Sequence, residues 1–252
     1  MNVALATCFL GTPCTLTLPG ICYAKKLHKG EHLHHAGDDF RSVFQVVRGS
    51  FKTLSASSQG VEQVLGFYFP GEFMGLDAIS DGMYPSTAIA LEDSEICAIY
   101  YSAINELCVA NRDMQNNVHI AMSTEIRRKA GVTTLLAYAS IEERVATFIL
   151  DLLARTDAEE QDFLPLPMRR HEIASYLGMS GETLSRQFAK FARLGVILGD
   201  VQGVHVLNRV ALESLRSSVA ENCFGIQCGD KHGSYRKQVA SRLTAYKSSP
   251  LQ

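Results

Sequence analysis

The sequence predicts an α+β chain made of a jelly-roll-like β-barrel, one long helix and a winged helix-turn-helix, in that order. Three stretches predict it: short β-type runs between glycine turns over residues 25–101, an extended helical pattern over 111–139, and a two-helix unit followed by a hairpin over 169–207. At 252 residues and 46% hydrophobic content, the chain has enough apolar material for the cores of two modest domains.

Residues 1–24 form an arm that carries Cys8, Cys14 and Cys22. Residues 25–110 read as the barrel, with β-type runs at 44–47, 50–54, 64–69 and 96–101 and turns at Arg48-Gly49, Gln59-Gly60 and Pro70-Gly71-Glu72. Four histidines, His28, His32, His34 and His35, fall in an early turn, and without a cysteine partner or a helical pair they are expected to be solvated. The helix over 111–139 carries Val118, Met122, Ile126, Val132 and Leu136 as an apolar stripe, interrupted by Lys129. Such a stripe packs on the barrel or pairs with its own copy, and a dimer is expected. Lys129 would weaken that pairing if it lay on the axis. A second helix spans 141–154, Pro165 and Pro167 break the chain, and the two-helix unit with its hairpin completes residues 140–216. The tail, 217–252, is rich in Gly, Ser, Lys and Arg with weak periodicity, and is expected to be flexible.

The helix-turn-helix is the most specific pattern. Ile173, Ala174 and Leu177 form the inner face of its first helix, Gly178 and Met179 the turn, and Ser180 the N-cap of the second helix. There Leu184, Phe188 and Phe191 recur at i, i+4, i+7, which leaves Glu182, Thr183, Ser185, Arg186 and Gln187 to project outward. A second helix of this kind enters a major groove with its first residues at the base edges of double-stranded DNA. Arg can bond both acceptors of a guanine, Glu accepts from amino groups, and Ser adapts to either. Arg169, Arg170, Lys190 and Arg193 flank the stripe as phosphate contacts. The apolar runs 195–198 and 204–207, separated by a glycine-bearing turn, complete a β-wing.

Composition narrows the remaining choices. A formal charge of −2 argues against a polybasic protein coating nucleic acid indiscriminately, and leaves room for a local basic surface. No run reaches membrane-spanning length and the first 25 residues do not read as a signal peptide, so a cytoplasmic protein with no membrane partner is expected. There is no C-x-x-C, Walker loop or nucleotide-binding glycine fingerprint, so an enzyme is not expected.

The segments KGEHLHHAGD at 29–38, GFYFPGEFMGLDAI at 66–79, IEERVATFIL at 141–150 and GMSGETLSRQFAKFARLGVI at 178–197 together resemble the CRP/FNR family of bacterial transcription regulators. The likeness covers about residues 25–216 and is closer to the oxygen-sensing FNR branch than to the cyclic-AMP branch. It implies a barrel like that of cyclic-nucleotide-binding proteins, a dimerisation helix, and a loop at 81–84 that meets RNA polymerase. It also implies TTGAT half-sites, with Arg186 on the guanine, Glu182 on the opposite strand's amino groups and Ser185 on a thymine. Pro85 stands where the cyclic-nucleotide branch has its phosphate-binding Arg, so cyclic AMP is not expected: a buried phosphate would lack its cation.

FNR proteins hold an oxygen-labile 4Fe-4S cluster on three N-terminal cysteines and one barrel cysteine, a soft donor set suited to iron. Here the resemblance implies Cys8, Cys14, Cys22 and Cys97, although the arm spacing is C-x5-C-x7-C where the family commonly shows C-x2-C-x5-C. Either Cys22 completes an altered ligand set or there is no cluster and the regulator senses haem, a small ligand or thiol oxidation. Cys108 falls on an apolar helical face with Ile104 and Leu107, and Cys223 and Cys228 lie in the tail.

Overall fold

A computed structural model describes residues 20–57, 60–156, 163–200 and 202–216. Cys8, Cys14, Cys223, Cys228 and the expected flexible tail lie outside these residues.

The barrel is built from the strands β1 (Cys22–Leu27), β2 (His32–His34), β3 (Ser42–Arg48), β4 (Phe51–Ala56), β5 (Glu62–Tyr68), β6 (Phe73–Met74), β7 (Thr87–Ala90) and β8 (Ser94–Tyr100). They form two antiparallel four-stranded sheets, in the orders β1-β8-β3-β6 and β2-β7-β4-β5. Leu27, Phe44, Val46, Phe51, Tyr68, Met74 and Ile96 fill the space between them. The strand β1 carries few apolar residues (CYAKKL) and is defined by its full ladder with β8 rather than by its own pattern.

His34 departs from the expected solvated turn. A register shift between His32 and His34 turns its ring into the barrel, stacked on Tyr84 at 4.0 Å and on Phe44 at 5.7 Å. Neither ring nitrogen completes a hydrogen bond. Burial pulls its pKa down to about 4, against the pull of Asp77 and Asp38.

After the barrel come α1 (Tyr101–Ala110) and α2 (Arg112–Tyr138). Asn111 separates them and caps α2, its side-chain oxygen accepting from the Asp113 and Met114 amides at 2.9 and 3.2 Å. The next helix, α3 (Ile141–Arg155), opens with a reciprocal box in which the Ser140 hydroxyl accepts from the Glu143 amide and the Glu143 carboxylate accepts from the Ser140 amide.

The stripe assigned to pairing is divided by the structure. Val118 and Met122 pack against the cluster beneath α1, and Val132 against the core of the C-terminal unit, all within one chain. Lys129 is bonded to Asp77 of its own barrel at 2.6 Å. Of the apolar members only Ile126 faces outward, 66% exposed. The helix winds along the barrel, so positions i, i+4, i+8 drift off the buried face. Its exposed face instead carries Asn116, His119, Ser123, Ile126, Ala130, Thr133 and Ala137, spaced alternately by three and four.

The C-terminal unit follows as β9 (Phe163–Pro165), α4 (Arg170–Tyr176), α5 (Gly181–Arg193), β10 (Ile197–Gly199), β11 (Gly203–Val206) and α6 (Arg209–Ser214). The segment read as a break is a strand: β9 pairs with β11 at the edge of a three-stranded sheet ordered β10-β11-β9. Proline is tolerated there because an edge strand has one side free of ladder bonds. Gly203 is required opposite it, since a Cβ would collide with the Leu164 carbonyl oxygen.

Candidate nucleic-acid interface

The recognition surface is built from the inside outward. Leu184 and Phe191 on α5 are fully buried and Phe188 nearly so, in one core with Ile173, Ala174 and Leu177 of the preceding helix. Gly178 makes the turn with φ +62°, a left-handed conformation that disfavours larger residues. A Cβ at this position would also press on Leu136 at 3.2 Å. Ser180 caps α5, its hydroxyl accepting from the Thr183 amide at 3.1 Å.

With that face committed to the core, Glu182, Ser185 and Arg186 stand in solvent on one stripe. Arg186 and Glu182 pair at 3.2 Å with about three quarters of each side chain exposed, 71% and 78%. An ion pair this exposed holds its partners weakly, so either group can exchange it for a base edge. The Ser185 hydroxyl donates to the Gly181 carbonyl at 2.8 Å, and Thr183 is half-buried against the Ser180 hydroxyl at 2.9 Å.

Two outward assignments change, and a third residue gains a partner within the chain. Gln187 is 9% exposed and its amide nitrogen is buried without a hydrogen-bond partner, because the helix rotates it against the core. Arg170, assigned to phosphate, lies over the Phe188 ring at 3.9 Å and joins α4 to α5. Lys190, also assigned to phosphate, pairs with Glu142 of α3 at 2.5 Å while 43% of its side chain stays exposed, a contact it can exchange for a phosphate. Arg169 and Arg193 remain exposed at opposite ends of the surface.

Two polar features, one part-buried and one buried, escape sequence reasoning. The Arg144 guanidinium donates to the carbonyls of Leu136, Ala139 and Leu177 at 2.9, 3.0 and 3.2 Å, which closes the ends of α2 and α4 together. Glu72 joins three elements: Arg155 of α3 reaches its two oxygens at 2.9 and 2.8 Å, and Arg128 of α2 reaches it at 2.7 Å. Burial opposes ionisation of Glu72, but Arg155 and then Arg128 outweigh it and hold the carboxyl below its ordinary range. Arg155 also bonds Asp151 at 2.7 Å, so each buried charge is matched. The only sequence signal was a carboxylate on the Pro70-Gly71-Glu72 turn.

Cys22 and Cys97 lie on neighbouring strands of the barrel, with Cys22 opposite Ile99 and Cys97 opposite Ala24. The two-residue offset puts both thiols on one face of the sheet. They are 4% and 1% exposed and share a cluster with Val43, Leu76, Ile104 and Met114. They are soft donors of the kind a four-thiolate set uses, set diagonally on that face. Among the described residues no three His, Cys, Asp or Glu side chains gather around a metal position. Cys108 is half-buried beside a cavity of about 220 Å³ between α1 and α2, lined also by Ile104, Val118, His119 and Met122.

Among the described residues no helix is long and apolar enough to cross a membrane. Residues 24–111 match the family model of the cyclic nucleotide-binding domain, and residues 143–215 that of the Crp-like helix-turn-helix domain. The chain is 38% identical over 193 residues to the transcriptional activator protein FnrA of Stutzerimonas stutzeri, covering 76% of this chain and 79% of the relative. It is 38% identical over 200 residues to the transcriptional activator protein Anr of Pseudomonas aeruginosa, covering 78% and 82%. With the fumarate and nitrate reduction regulatory protein of Escherichia coli K12 it shares 33% identity over 195 residues, 76% and 77% of the two chains. The structure of FixK2 from Bradyrhizobium japonicum has the same fold, with a TM-score of 0.71 at 24% identity, covering 78% of this chain and 98% of that one. A reading helix with this geometry, on a chain this similar to known activators, makes it a DNA-binding transcription regulator of the CRP/FNR family, FNR-like branch, and not an enzyme.

Proposed function

We propose that the chain acts in the cytoplasm as a homodimer that reads TTGAT-type palindromes and regulates transcription in response to oxygen or redox state. The observation that carries the DNA reading is the stripe Glu182, Ser185 and Arg186, exposed above a helix face fully committed to the core. Arg186 takes the guanine, Glu182 the opposite strand's amino groups and Ser185 a thymine, while Arg169 and Arg193 hold phosphates. Pairing runs along the exposed α2 stripe, whose alternating spacing of three and four suits a helix–helix seam centred on Ile126. Two reading helices on a two-fold axis then meet successive half-sites on one side of the duplex. Asp81, Gly82 and Met83 form an exposed loop that would meet RNA polymerase, whereas Tyr84 is buried in the barrel.

For sensing, Cys22 and Cys97 together with Cys8 and Cys14 would hold a 4Fe-4S cluster, which supplies an oxygen-labile centre when bound. The chain's own contribution is mechanical. Cys22 and Cys97 share their cluster with Met114 of α2, and Val118 and Met122 pack at its edge. A change at the thiols therefore alters the support of the dimer helix at its start. A shift of only a few kcal/mol between paired and separated states is needed for such a response. Cyclic AMP is not part of this reading, since Pro85 provides no cation for its phosphate.

A second reading has a small ligand or thiol oxidation, and not a cluster, acting on α2, with Cys108 beside a cavity of about 220 Å³. Anaerobic purification separates the two. Stoichiometric iron and acid-labile sulfide, lost on Cys97→Ser, support the cluster; a colourless, iron-free protein that still binds its palindrome removes the cluster and haem and leaves a small ligand or thiol oxidation.

A further inference from the structure

We propose that Lys52 and Ser175 set the spacing between half-sites that the dimer accepts, although neither lies on the DNA-reading face. This rests on the palindrome reading above. The strand β5 is the outer edge of its sheet, so one side of its backbone lacks a strand partner. The helix α4 covers that edge. The Ser175 hydroxyl accepts from the Val64 amide at 3.0 Å, and the Ser175 carbonyl accepts from the Gln63 side chain at 2.5 Å.

One turn away, Lys52 of β4 donates to Glu172 at 2.5 Å, with side chains 14% and 8% exposed. The other oxygen of the same carboxylate accepts from the Arg169 amide at 2.6 Å, at the start of α4. Beside the Lys52 bond Tyr176 packs edge-on to Phe67 of the barrel, ring centroids 5.2 Å apart, and on Phe148 of α3 at 5.9 Å. Val64, Phe67, Phe69 and Leu91 of the barrel belong to the same apolar core as α3, α4 and α5.

The reading unit is therefore bolted to the barrel by directional bonds at two points along the edge, together with an aromatic contact. It does not hang from a flexible linker. When two barrels are joined through α2, the separation and tilt of the two α5 helices follow from where α4 sits on β5. One base pair of extra spacing moves a half-site by about 3.4 Å and turns it by about 35° around the duplex. A rigid attachment cannot absorb both changes, and a loosened one can.

The test uses the full-length protein and duplexes carrying two TTGAT half-sites with a four-base-pair spacer, or one base pair shorter or longer, beside a single half-site duplex. Wild type should prefer one spacer by roughly tenfold. Lys52→Met and Ser175→Ala, each checked for folding by thermal melting, should reduce that preference to roughly twofold. Their affinity for the single half-site should stay within about twofold of wild type, and Lys52→Arg should restore the preference. A spacer profile unchanged in the folded variants overturns the proposal. So does a matching loss on the single half-site, because the residues would then act on the reading unit's fold. If wild type binds the half-site but shows no spacer preference, this proposal fails and the DNA reading stands; if wild type binds no duplex, the functional reading itself fails.

Discussion

Single residues decide how the surface and the interior of this chain differ. His34 sits between Tyr84 and Phe44 with its pKa near 4, against an ordinary 6.5. Between those values the unfolded chain binds a proton that the folded chain refuses. Stability should therefore fall as pH drops from about 6.5 to about 4, by up to about 3 kcal/mol, with no further pH dependence from this residue above that window. Urea unfolding at a series of pH values measures it; His34→Phe should flatten the slope there, and an unchanged slope would assign it elsewhere. Phe191 belongs to the opposite class, a wholly apolar anchor under the recognition stripe. Phe191→Ala should cost about 3–5 kcal/mol and reduce DNA binding through loss of the folded unit, read together by chemical denaturation and gel shift. The exposed positions were legible beforehand because the period of Leu184, Phe188 and Phe191 assigns the opposite face to solvent. Arg170 and Gln187 were not, since a long polar side chain can turn to a neighbouring ring or to the core that only the folded chain supplies.

Among the elements, those with strong local signals were readable and those defined by distant partners were not. The α3 boundary follows from Ser140 and Glu143, and the α4–α5 turn from Gly178 and Ser180. By contrast, β1 exists through its ladder with β8, and β9 through three bridges to β11. On α2, periodicity identified the helix but not which face meets the barrel, because Val118 and Ile126 are equally apolar in sequence. The structure packs the first, half-buried, against the barrel-side cluster and exposes the second. Ile126→Glu should leave the melting temperature nearly unchanged while converting the dimer to monomer in sedimentation and abolishing preference for a palindrome over one half-site. A dimer that persists in this variant would move the seam off this face.

For the whole molecule, the charges around Glu72 unite barrel, α2 and α3 in one cooperative body. Glu72→Ala would leave Arg155 and Arg128 buried without their carboxylate and should cost about 3–5 kcal/mol in a single unfolding transition. Separate transitions for barrel and reading unit would contradict this coupling. No linear pattern announces such a junction, since Glu72, Arg128 and Arg155 come from three distant segments. The order of barrel, long helix and winged reader was nonetheless legible, because each part carries its own period and turns. The central claim is that α5 reads bases through Arg186. The most direct measurement is the affinity of wild type and Arg186→Ala for a TTGAT palindrome and for the same duplex with the guanine pair replaced. Wild type should lose about 1–3 kcal/mol on the altered duplex, and the variant should bind both duplexes with equal, lowered affinity. A variant that still distinguishes them as wild type does would contradict the account.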